Sequence, residues 1–246
     1  MTVFELVVPA YNEEMNLPLV IKRCAESAVA NGYNASNFQL IVVNNGSTDA
    51  SASVLREIKE GPLGQWFRVV NVHPNQGYGY GLNEGLKTTT AEFIGWSHAD
   101  MQTDPTDAFR ALKVLQDANK DGGTSGVLVK GERHGRNWKD AMVSRVFARF
   151  AALILGLRVS EINAQPKVFE RQLIRNLTNP PYTFGFDLYA LYRAAKAGYR
   201  FVGIPVQFPD RQYGLSKWSA SLSSRRRTIL GLIRYMWQLM LDEGRL

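Results

Sequence analysis

The stretch FELVVPAYNEE, residues 4–14, decides the fold of this chain. It begins with a short apolar run, Phe4–Val8, and then turns polar at a proline. A parallel strand that is buried on both faces has this pattern, because it is apolar throughout and stops at turn residues. A second such run, Phe38–Val43, follows Leu17–Ala30, in which apolar residues recur at helical spacing. This order predicts a strand–helix–strand unit.

The same alternation continues along the chain. It predicts a helix over Asp49–Glu60, a strand over Phe67–Asn71, a helix over Gly79–Thr89 and a strand over Glu92–Trp96. Alternating strands and helices favour an α/β fold with a Rossmann-like, mostly parallel sheet and helices on both faces. Ligands of such sheets bind beyond the carboxyl ends of the strands. We therefore look for chemistry in the segments that follow the strands.

The second half is less regular. It predicts helices from Asp104 to about Asn119, over Asp140–Leu157 and over Phe186–Ala197, strands over Gly126–Gly131 and Phe201–Phe208, and an extended segment near Asn163–Phe169. We see no linker, repeat or low-complexity tract. We therefore expect one catalytic domain over residues 1–217, and a basic amphipathic helix over residues 218–246 that belongs to the same unit or docks on a partner.

Composition narrows the classes of function. The 246 residues are 45% hydrophobic, which is enough for a substantial core. Lys and Arg total 29 against 22 Asp and Glu, so the net charge of +7 favours anionic partners. The single cysteine, Cys24, excludes an internal disulfide framework and a thiolate metal cluster. The N-terminus lacks the pattern of a secretory signal, and we expect no membrane-spanning helix, although docking on a membrane surface stays open.

Three polar segments each follow a predicted strand: PAYNEE (Pro9–Glu14), VVNNGSTD (Val42–Asp49) and SHADMQTDP (Ser97–Pro105). In the predicted sheet these segments meet at one edge. A divalent cation could be held at Asp100, because Mg²⁺ and Mn²⁺ favour carboxylate oxygen.

These segments resemble the family 2 glycosyltransferases with the GT-A fold, and more narrowly the dolichyl- and polyprenyl-phosphate sugar transferases related to dolichol-phosphate mannose synthase. NQGYGYGLNEGL (Asn75–Leu86) is similar to the family stretch N-x-G-x-x-x-A-x-N-x-G, and DRQYGLSK (Asp210–Lys217) to R-x-x-G-x-S-K. The likeness runs from Val3 to about Lys217. It implies an inverting glycosyltransferase that moves a sugar from a nucleoside diphosphate sugar to a polyprenyl phosphate.

The resemblance implies a Mg²⁺ or Mn²⁺ cofactor at a D-x-D motif that is followed by Gln. The corresponding residues here are His98, Asp100 and Gln102, so a histidine replaces the first acid. Imidazole can ligate Mn²⁺ but brings no negative charge, so we expect metal binding that is retained and weaker. The alternative is that Asp100 only caps the turn before Asp104.

The resemblance also implies nucleotide contacts. They fall on Pro9, Tyr11, Asn12, Glu13, Asn45, Asp49 and His98. Asn44 and Asn45 replace both acids of the family's D-D-G-S-x-D, and an amide, which both donates and accepts, does not select one base. Asp49 could instead cap the next helix, and Glu13 could stabilise a helix N-terminus.

On the acceptor side, the resemblance places Arg133 and Arg145 near the lipid phosphate. Arg211, Ser216 and Lys217 offer a guanidinium, a hydroxyl and an ammonium in one short loop, which suits phosphate, although the loop could be merely solvated. Arg211 would also help to offset the departing diphosphate. A phosphate monoester is ionised at neutral pH, so it needs little help from a general base.

Asp187, in FGFDLY, lies where relatives that glycosylate hydroxyl groups carry their catalytic base. Transfer to a sugar hydroxyl in polysaccharide or lipopolysaccharide assembly, with Asp187 as base, is therefore the first alternative. A non-catalytic nucleotide-sugar-binding scaffold is the second, because Asn44, Asn45 and His98 replace acids. Nucleic-acid binding is not expected, since no nucleic-acid module is recognisable.

The C-terminal segment predicts a basic amphipathic helix. Its polar face holds Arg227, Gly231, Arg234, Gln238 and Asp242, and its apolar face holds Ile229, Ile233, Met236 and Met240. Such a helix can lie in a membrane interface or dock on a membrane subunit, and it can equally pack on the protein itself. We expect a peripheral protein at the cytoplasmic face of a membrane.

Overall fold

A seven-stranded mixed sheet forms the centre of the computed structural model, which describes residues 2–120, 126–209, 213 and 222–243, the last without the side chains of 222–229 and 243. The strands are β1 (Phe4–Ala10), β2 (Phe38–Asn45), β3 (Phe67–Val72), β4 (Phe93–Trp96), β5 (Val127–His134), β6 (Lys167–Glu170) and β7 (Arg200–Gln207). The helices are α1 (Leu17–Ala30), α2 (Ser51–Glu60), α3 (Tyr78–Lys87), α4 (Thr106–Lys120), α5 (Trp138–Leu155), α6 (Phe186–Lys196) and α7 (Leu222–Glu243). Two short 3₁₀ turns lie at Gly64–Trp66 and Arg171–Asn176.

The strand order is β3-β2-β1-β4-β6-β5-β7. Strands β1 to β4 are mutually parallel, and β5 is parallel to β7. Strand β6 is antiparallel to both of its neighbours, β4 and β5. The predicted α/β fold with a mostly parallel sheet is therefore confirmed, and β6 is the exception to the parallel direction. Because the chain runs outward from β1 to β3 and then returns to the other side of β1 at β4, the switch point lies beyond the ends of β1 and β4.

Both faces of the sheet are covered, which explains the continuous apolar runs of the strands. Phe4, Leu6 and Val8 of β1 pack in a core with α1 and α4 on one face. Val7 of the same strand and Trp96 of β4 belong to a second core on the other face, which includes α3 and α6. Alternate residues of one strand thus serve two cores, as the pleat of a strand requires.

Several element boundaries differ from the sequence prediction for local reasons. Helix α5 begins at Trp138, two residues earlier than predicted, because the side chain of Asn137 accepts a hydrogen bond from the Lys139 amide at 3.0 Å and caps the helix. It ends earlier as well, at Gly156, which has a left-handed φ of +68°. Asp104 accepts from the Thr106 amide at 2.8 Å and so stabilises the start of α4.

Helix α7 packs against the protein, including α5. Leu232, Met236 and Leu239 are buried, whereas Leu230 and Trp237 are exposed. We expected α7 either to lie in a membrane interface or to pack on the protein. The side of the helix that carries Met236 packs on the protein, so Met236 does not face a membrane. In the part of the chain that the structure describes, every helix is too short or too polar to cross a membrane.

Candidate active site

The loops that follow β1 and β2 are held together at the carboxyl edge of the sheet. Asn12 has a left-handed φ of +57°, and its side-chain oxygen accepts from the Thr48 amide at 2.8 Å. Its own amide donates to the Ser47 hydroxyl at 3.1 Å. The amide of Glu13 donates to the Ser51 hydroxyl at 3.1 Å. Two of the three segments that were predicted to meet thus do so through several hydrogen bonds.

Two carboxylates lock this pair of loops reciprocally. The Glu14 amide donates to Asp49 Oδ2 at 3.2 Å, and the Ala50 amide donates to Glu14 Oε2 at 2.7 Å. The other oxygen of Asp49 accepts from the Ser51 amide at 3.0 Å, in the first turn of α2. Asp49 therefore serves as a structural residue of the loop, and its contact with a nucleotide remains a prediction.

Asn45, at the end of β2, is buried against the glycines of α3. Its Nδ2 donates to the Gly77 carbonyl at 3.0 Å, and its backbone carbonyl accepts from Asn75 Nδ2 at 2.7 Å. A Cβ on Gly81 would lie only 2.6 Å from Asn45 Cγ. Gly46 has a φ of +68°, and a Cβ there would lie 2.5 Å from the Asn75 amide nitrogen. The glycine-rich stretch thus allows close packing around the Asn45 side chain.

Asp100 lies beyond β4, in the loop where a cation was predicted. Its side chain is 4% exposed, and Oδ1 accepts from the Gln102 amide at 3.1 Å. The side chain of Gln102 donates instead to the Pro209 carbonyl at 3.1 Å. Among the described residues, no three His, Cys, Asp or Glu side chains form a group that could hold a metal ion. Asp100 is the carboxylate of this loop that would hold a cation, and the cation would supply positive charge there.

His98 lies between this loop and a buried amide. Its Nε2 is 3.5 Å from Gln165 Nε2, so the ring can accept a hydrogen bond from that amide. Burial lowers the pKa of His98, and Lys167 and Arg133 lower it further, against the opposite effect of Asp100 and Asp187. The imidazole is therefore neutral at neutral pH, and it differs in charge from the acid that it replaces in the family motif.

Aromatic side chains border His98, and the sequence interpretation missed them. Tyr78 contacts the His98 ring edge-on, with centroids 5.7 Å apart. Tyr78 also stacks on the half-exposed Phe184, with ring centroids 5.3 Å apart and an interplanar angle of 14°. The Gly79 amide donates to the Tyr182 carbonyl at 2.9 Å, which fixes α3 against this segment. The signal in the sequence was the aromatic spacing of YGY and YTF.

Asp187 is the centre of a buried hydrogen-bond network. Its Oδ1 accepts from Trp96 Nε1 at 3.1 Å, from Gln165 Nε2 at 3.0 Å and from Lys167 Nζ at 2.5 Å. Burial would raise the pKa of Asp187, but the Lys167 ammonium, His98 and the hydrogen bond from Trp96 outweigh it and hold the pKa below its usual value. The carboxylate is therefore ionised, tied to a buried cation, and a weak base.

A second buried lysine lies beside the first. Lys130 pairs with Lys167 across β5 and β6, and its side chain is 2% exposed. Its Nζ donates to the Gly131 carbonyl at 3.1 Å and lies 3.7 Å from a Glu132 carboxylate oxygen. Burial, with the repulsion of Lys167, lowers the pKa of Lys130 to about 8. Sequence reasoning missed both lysines, although each stands within an apolar, strand-like run.

Two arginines converge at the carboxyl end of β5. Arg133 Nε donates to Glu161 Oε2 at 2.6 Å, and Arg136 Nη1 donates to Glu161 Oε1 at 3.2 Å. Arg136 Nη1 also donates to the Ser144 hydroxyl at 3.0 Å, and both guanidinium groups stack near the Phe208 ring. Burial and the neighbouring Arg133 lower the pKa of Arg136, against the opposite effect of Glu161 and Asp140. Arg136 was not among the predicted residues.

Of the remaining predicted acceptor residues, the structure describes Arg145 alone. Arg145 is exposed on α5. Arg211, Ser216 and Lys217 lie outside the described residues. Arg133 is therefore the predicted acceptor residue that the structure places beside a second cation. Strand β5 runs in the same direction as β4, because two antiparallel steps through β6 restore the direction, so this cluster and Asp100 lie at the same edge of the sheet.

Comparisons with known proteins agree with this architecture. The chain is 25% identical over 233 residues to a polyprenol monophosphomannose synthase of Mycolicibacterium smegmatis, with 88% of this chain and 81% of that protein covered. It is 26% identical over 215 residues to an undecaprenyl-phosphate 4-deoxy-4-formamido-L-arabinose transferase of an Enterobacter species, with 87% of this chain but only 62% of that longer protein covered.

The fold is also similar to that of a solved structure. It is the glucosyl-3-phosphoglycerate synthase of Mycobacterium tuberculosis in complex with Mn²⁺, uridine diphosphate and phosphoglyceric acid. The TM-score is 0.66 at 18% identity, over 96% of this chain and 78% of that one. The family model described as Glycosyl transferase family 2 matches residues 5–195. The chain, a glycosyltransferase with a GT-A-like fold, therefore belongs to glycosyl transferase family 2.

Proposed function

We propose that this glycosyltransferase moves a sugar, with inversion, from a nucleoside diphosphate to the phosphate group of a polyprenyl phosphate. The observation that carries the proposal is the convergence of two partly buried arginines, Arg133 and Arg136, on Glu161 at the same edge of the sheet as Asp100. A guanidinium group can donate two parallel hydrogen bonds to the oxygens of a phosphate. Two partly buried arginines bind a phosphate more strongly than two solvated ones.

The sequence relatives support a phosphate as the acceptor group. Their names point to a polyprenol phosphate and to undecaprenyl phosphate. The solved structure contains phosphoglyceric acid, which offers a hydroxyl as well as a phosphate. We favour the lipid, because both sequence relatives are named for one.

The reaction needs little base catalysis. An oxygen of the ionised acceptor phosphate attacks the anomeric carbon, the bond from that carbon to the donor diphosphate breaks, and the electron pair leaves with the diphosphate. The hydrogen-bonded, ion-paired Asp187 is a weak base, which favours a phosphate over a sugar hydroxyl as the acceptor. We infer that Asp187 holds Lys167 and Gln165 in position and does not accept a proton.

The donor is held by the locked loops and by Asp100. We infer that Tyr11, Asn12 and Asn45 border the nucleoside, and that Pro9, Glu13 and Asp49 shape its loops. A divalent cation bound at Asp100, with His98 and Gln102 beside it, would supply positive charge to the departing diphosphate. Arg211, Ser216 and Lys217 remain proposed acceptor residues on the resemblance alone.

The direct test is a mass measurement of the product. The protein is incubated with a panel of nucleotide sugars and Mn²⁺ or Mg²⁺, with polyprenyl phosphate, 3-phosphoglycerate or an oligosaccharide as acceptor. We expect one sugar to be added to the lipid phosphate. Addition to the oligosaccharide would support the hydroxyl alternative, and binding of the donor without any transfer would support the scaffold.

The role of Asp100 is tested in the same assay. We expect Asp100→Ala to abolish metal-dependent transfer, because the cation then loses the carboxylate that we propose to hold it. The exposed Asp117 on α4 provides a control, and Asp117→Ala should leave turnover unchanged. Unchanged turnover of Asp100→Ala would show that this residue holds no catalytic metal.

The role of the arginine pair is tested through the acceptor. We expect Arg136→Gln to raise the KM for lipid phosphate about tenfold or more, because one charge-assisted hydrogen bond is lost, while the KM for the donor stays constant. Arg56→Gln, on the exposed face of α2, is the control. An equal rise in the KM for the donor would contradict the assignment of this cluster to the acceptor.

A further inference from the structure

Helix α5 exposes an apolar face that the proposed chemistry does not use. The exposed side chains are Trp138 (67%), Met142 (49%), Val143 (38%), Val146 (46%), Phe150 (39%) and Leu153 (82%). Most of them recur three or four residues apart, so they share one face of the helix. A contiguous apolar face on the surface of a protein marks an interaction site.

This face is distinct from the one with which α5 joins the protein. Ala151 is buried in the core, and Phe147, Ile154 and Leu155 pack against it. Helix α5 is thus apolar on two sides, one turned to the core and one turned to solvent. A helix that is apolar nearly all round is normally covered on both sides.

The exposed face also carries positive charge. Lys139, Arg145 and Arg149 are exposed, and at about 100° per residue they lie within or beside the arc of the apolar side chains. The only acidic residue of the helix, Asp140, lies on the opposite side and is half-buried. Apolar side chains mixed with lysine and arginine suit the headgroup region of an anionic lipid bilayer.

The helix is attached to the proposed acceptor site. Ser144 of α5 accepts from Arg136 at 3.0 Å, and the carbonyl of Asp140 accepts from the same guanidinium at 3.2 Å. A surface docked through α5 therefore lies next to the arginine pair. A polyprenyl phosphate keeps its chain in the bilayer, so its phosphate has to be met at the bilayer surface.

We propose that the exposed face of α5 docks this protein on an anionic lipid bilayer, beside the site for the acceptor phosphate. The proposal deepens the proposed function by naming the surface from which the acceptor is drawn. Charge decides against a second copy of the chain as the occupant, because that copy would bring the same cations face to face.

The test is flotation with lipid vesicles of phosphatidylcholine, with and without phosphatidylglycerol. We expect the wild-type protein to bind the anionic vesicles, and to bind them less as salt is raised. The double variant Met142→Ser/Leu153→Ser should lower vesicle binding about tenfold or more. Val29→Ser, which removes an exposed apolar side chain from α1, is the matched control and should bind as the wild type does.

Charge is tested separately. Lys139→Gln/Arg149→Gln should lower binding to anionic vesicles about fivefold for each charge removed and should leave binding to neutral vesicles unchanged. Vesicle binding that is unaffected by either double variant would overturn the proposal. So would a solution dimer that Met142→Ser/Leu153→Ser converts to a monomer, because the face would then be a subunit interface.

A second assay separates this proposal from the proposed function. Transfer to a short-chain polyprenyl phosphate in detergent, without vesicles, should be unchanged in Met142→Ser/Leu153→Ser. Transfer by the wild-type protein in detergent without vesicle binding would overturn the docking alone. Vesicle binding without transfer to any lipid phosphate would overturn the proposed function and leave the docking in place.

Discussion

Replacing Lys130 by methionine should stabilise the protein at neutral pH. The side chain is buried, its principal contact is the Gly131 carbonyl at 3.1 Å, and Lys167 faces it across the neighbouring strand. Methionine has a similar length and no charge. The variant therefore removes a buried cation and largely preserves the packing.

The magnitude follows from the pKa of Lys130. Because the pKa of Lys130 falls from 10.5 to about 8 on folding, the protonated side chain destabilises the folded state below pH 8. This destabilisation amounts to about 3 kcal/mol, because each pKa unit is worth about 1.4 kcal/mol. Loss of the hydrogen bond to the Gly131 carbonyl costs about 1 kcal/mol. We expect Lys130→Met to raise the free energy of unfolding by about 2 kcal/mol at pH 7.

The pH dependence has a definite sign. Between pH 8 and 10.5 the unfolded chain keeps the proton on Lys130 while the folded protein has released it. The unfolded state binds more protons in this range, so the stability contribution of Lys130 improves as the pH rises. The advantage of Lys130→Met should therefore shrink from pH 8 upward and be lost near pH 10.5.

The assay is urea unfolding at pH 7 and pH 10, followed by tryptophan fluorescence. The comparison is the difference between variant and wild type at each pH, because other groups also titrate. Lys120→Met, at a lysine whose side chain is 76% exposed, is the control and should change stability by less than about 0.5 kcal/mol. A Lys130→Met variant that is less stable at pH 7, or equally favoured at both pH values, would refute the reasoning.

Two further predictions concern buried contacts. Asp187→Asn should destabilise the protein by about 3–5 kcal/mol, because the Lys167 ammonium stays buried without its carboxylate. The double variant Asp187→Asn/Lys167→Met should recover much of this loss. If the two single changes were additive in a double-mutant cycle, the ion pair would be contradicted. Gly81→Ala should destabilise by about 1–3 kcal/mol and weaken donor binding, because its Cβ would press on Asn45. Gly231→Ala, with open space around it in α7, should instead stabilise by up to about 1 kcal/mol, and equal effects in thermal unfolding would show that the Asn45 contact is not tight.

The first half of the fold could be predicted from the sequence because its strands are buried on both faces. Phe4–Val8 and Phe38–Val43 are apolar except at Glu5 and Gln39, and each lies within an observed strand. The meeting of the loops at Asn12 and Thr48 followed from the parallel direction of those strands alone. The local apolar pattern and the position of these strands in the sheet indicate the same structure, so the strands could be predicted from the sequence.

The rest of the site depends on contacts between distant segments. The reversed direction of β6 left no signal in its own four residues, Lys167–Glu170. Whether Asp187 faces solvent or a buried ammonium is decided by Lys167, which lies 20 residues away in the sequence. Arg136 is one of several basic residues between Arg133 and Lys139, and only the position of Glu161 shows which of them form a cluster.

Residues 135–166 join the antiparallel neighbours β5 and β6 and form one excursion of the chain outside the sheet. It leaves the sheet at the end of β5 and returns beside the same end, so its length can change without shifting any other strand. This excursion contains α5 and Glu161, whereas the loops proposed to bind the donor follow β1, β2 and β4. Under the proposed function, exchanging the excursion between homologous enzymes should change the acceptor and leave the donor loops intact.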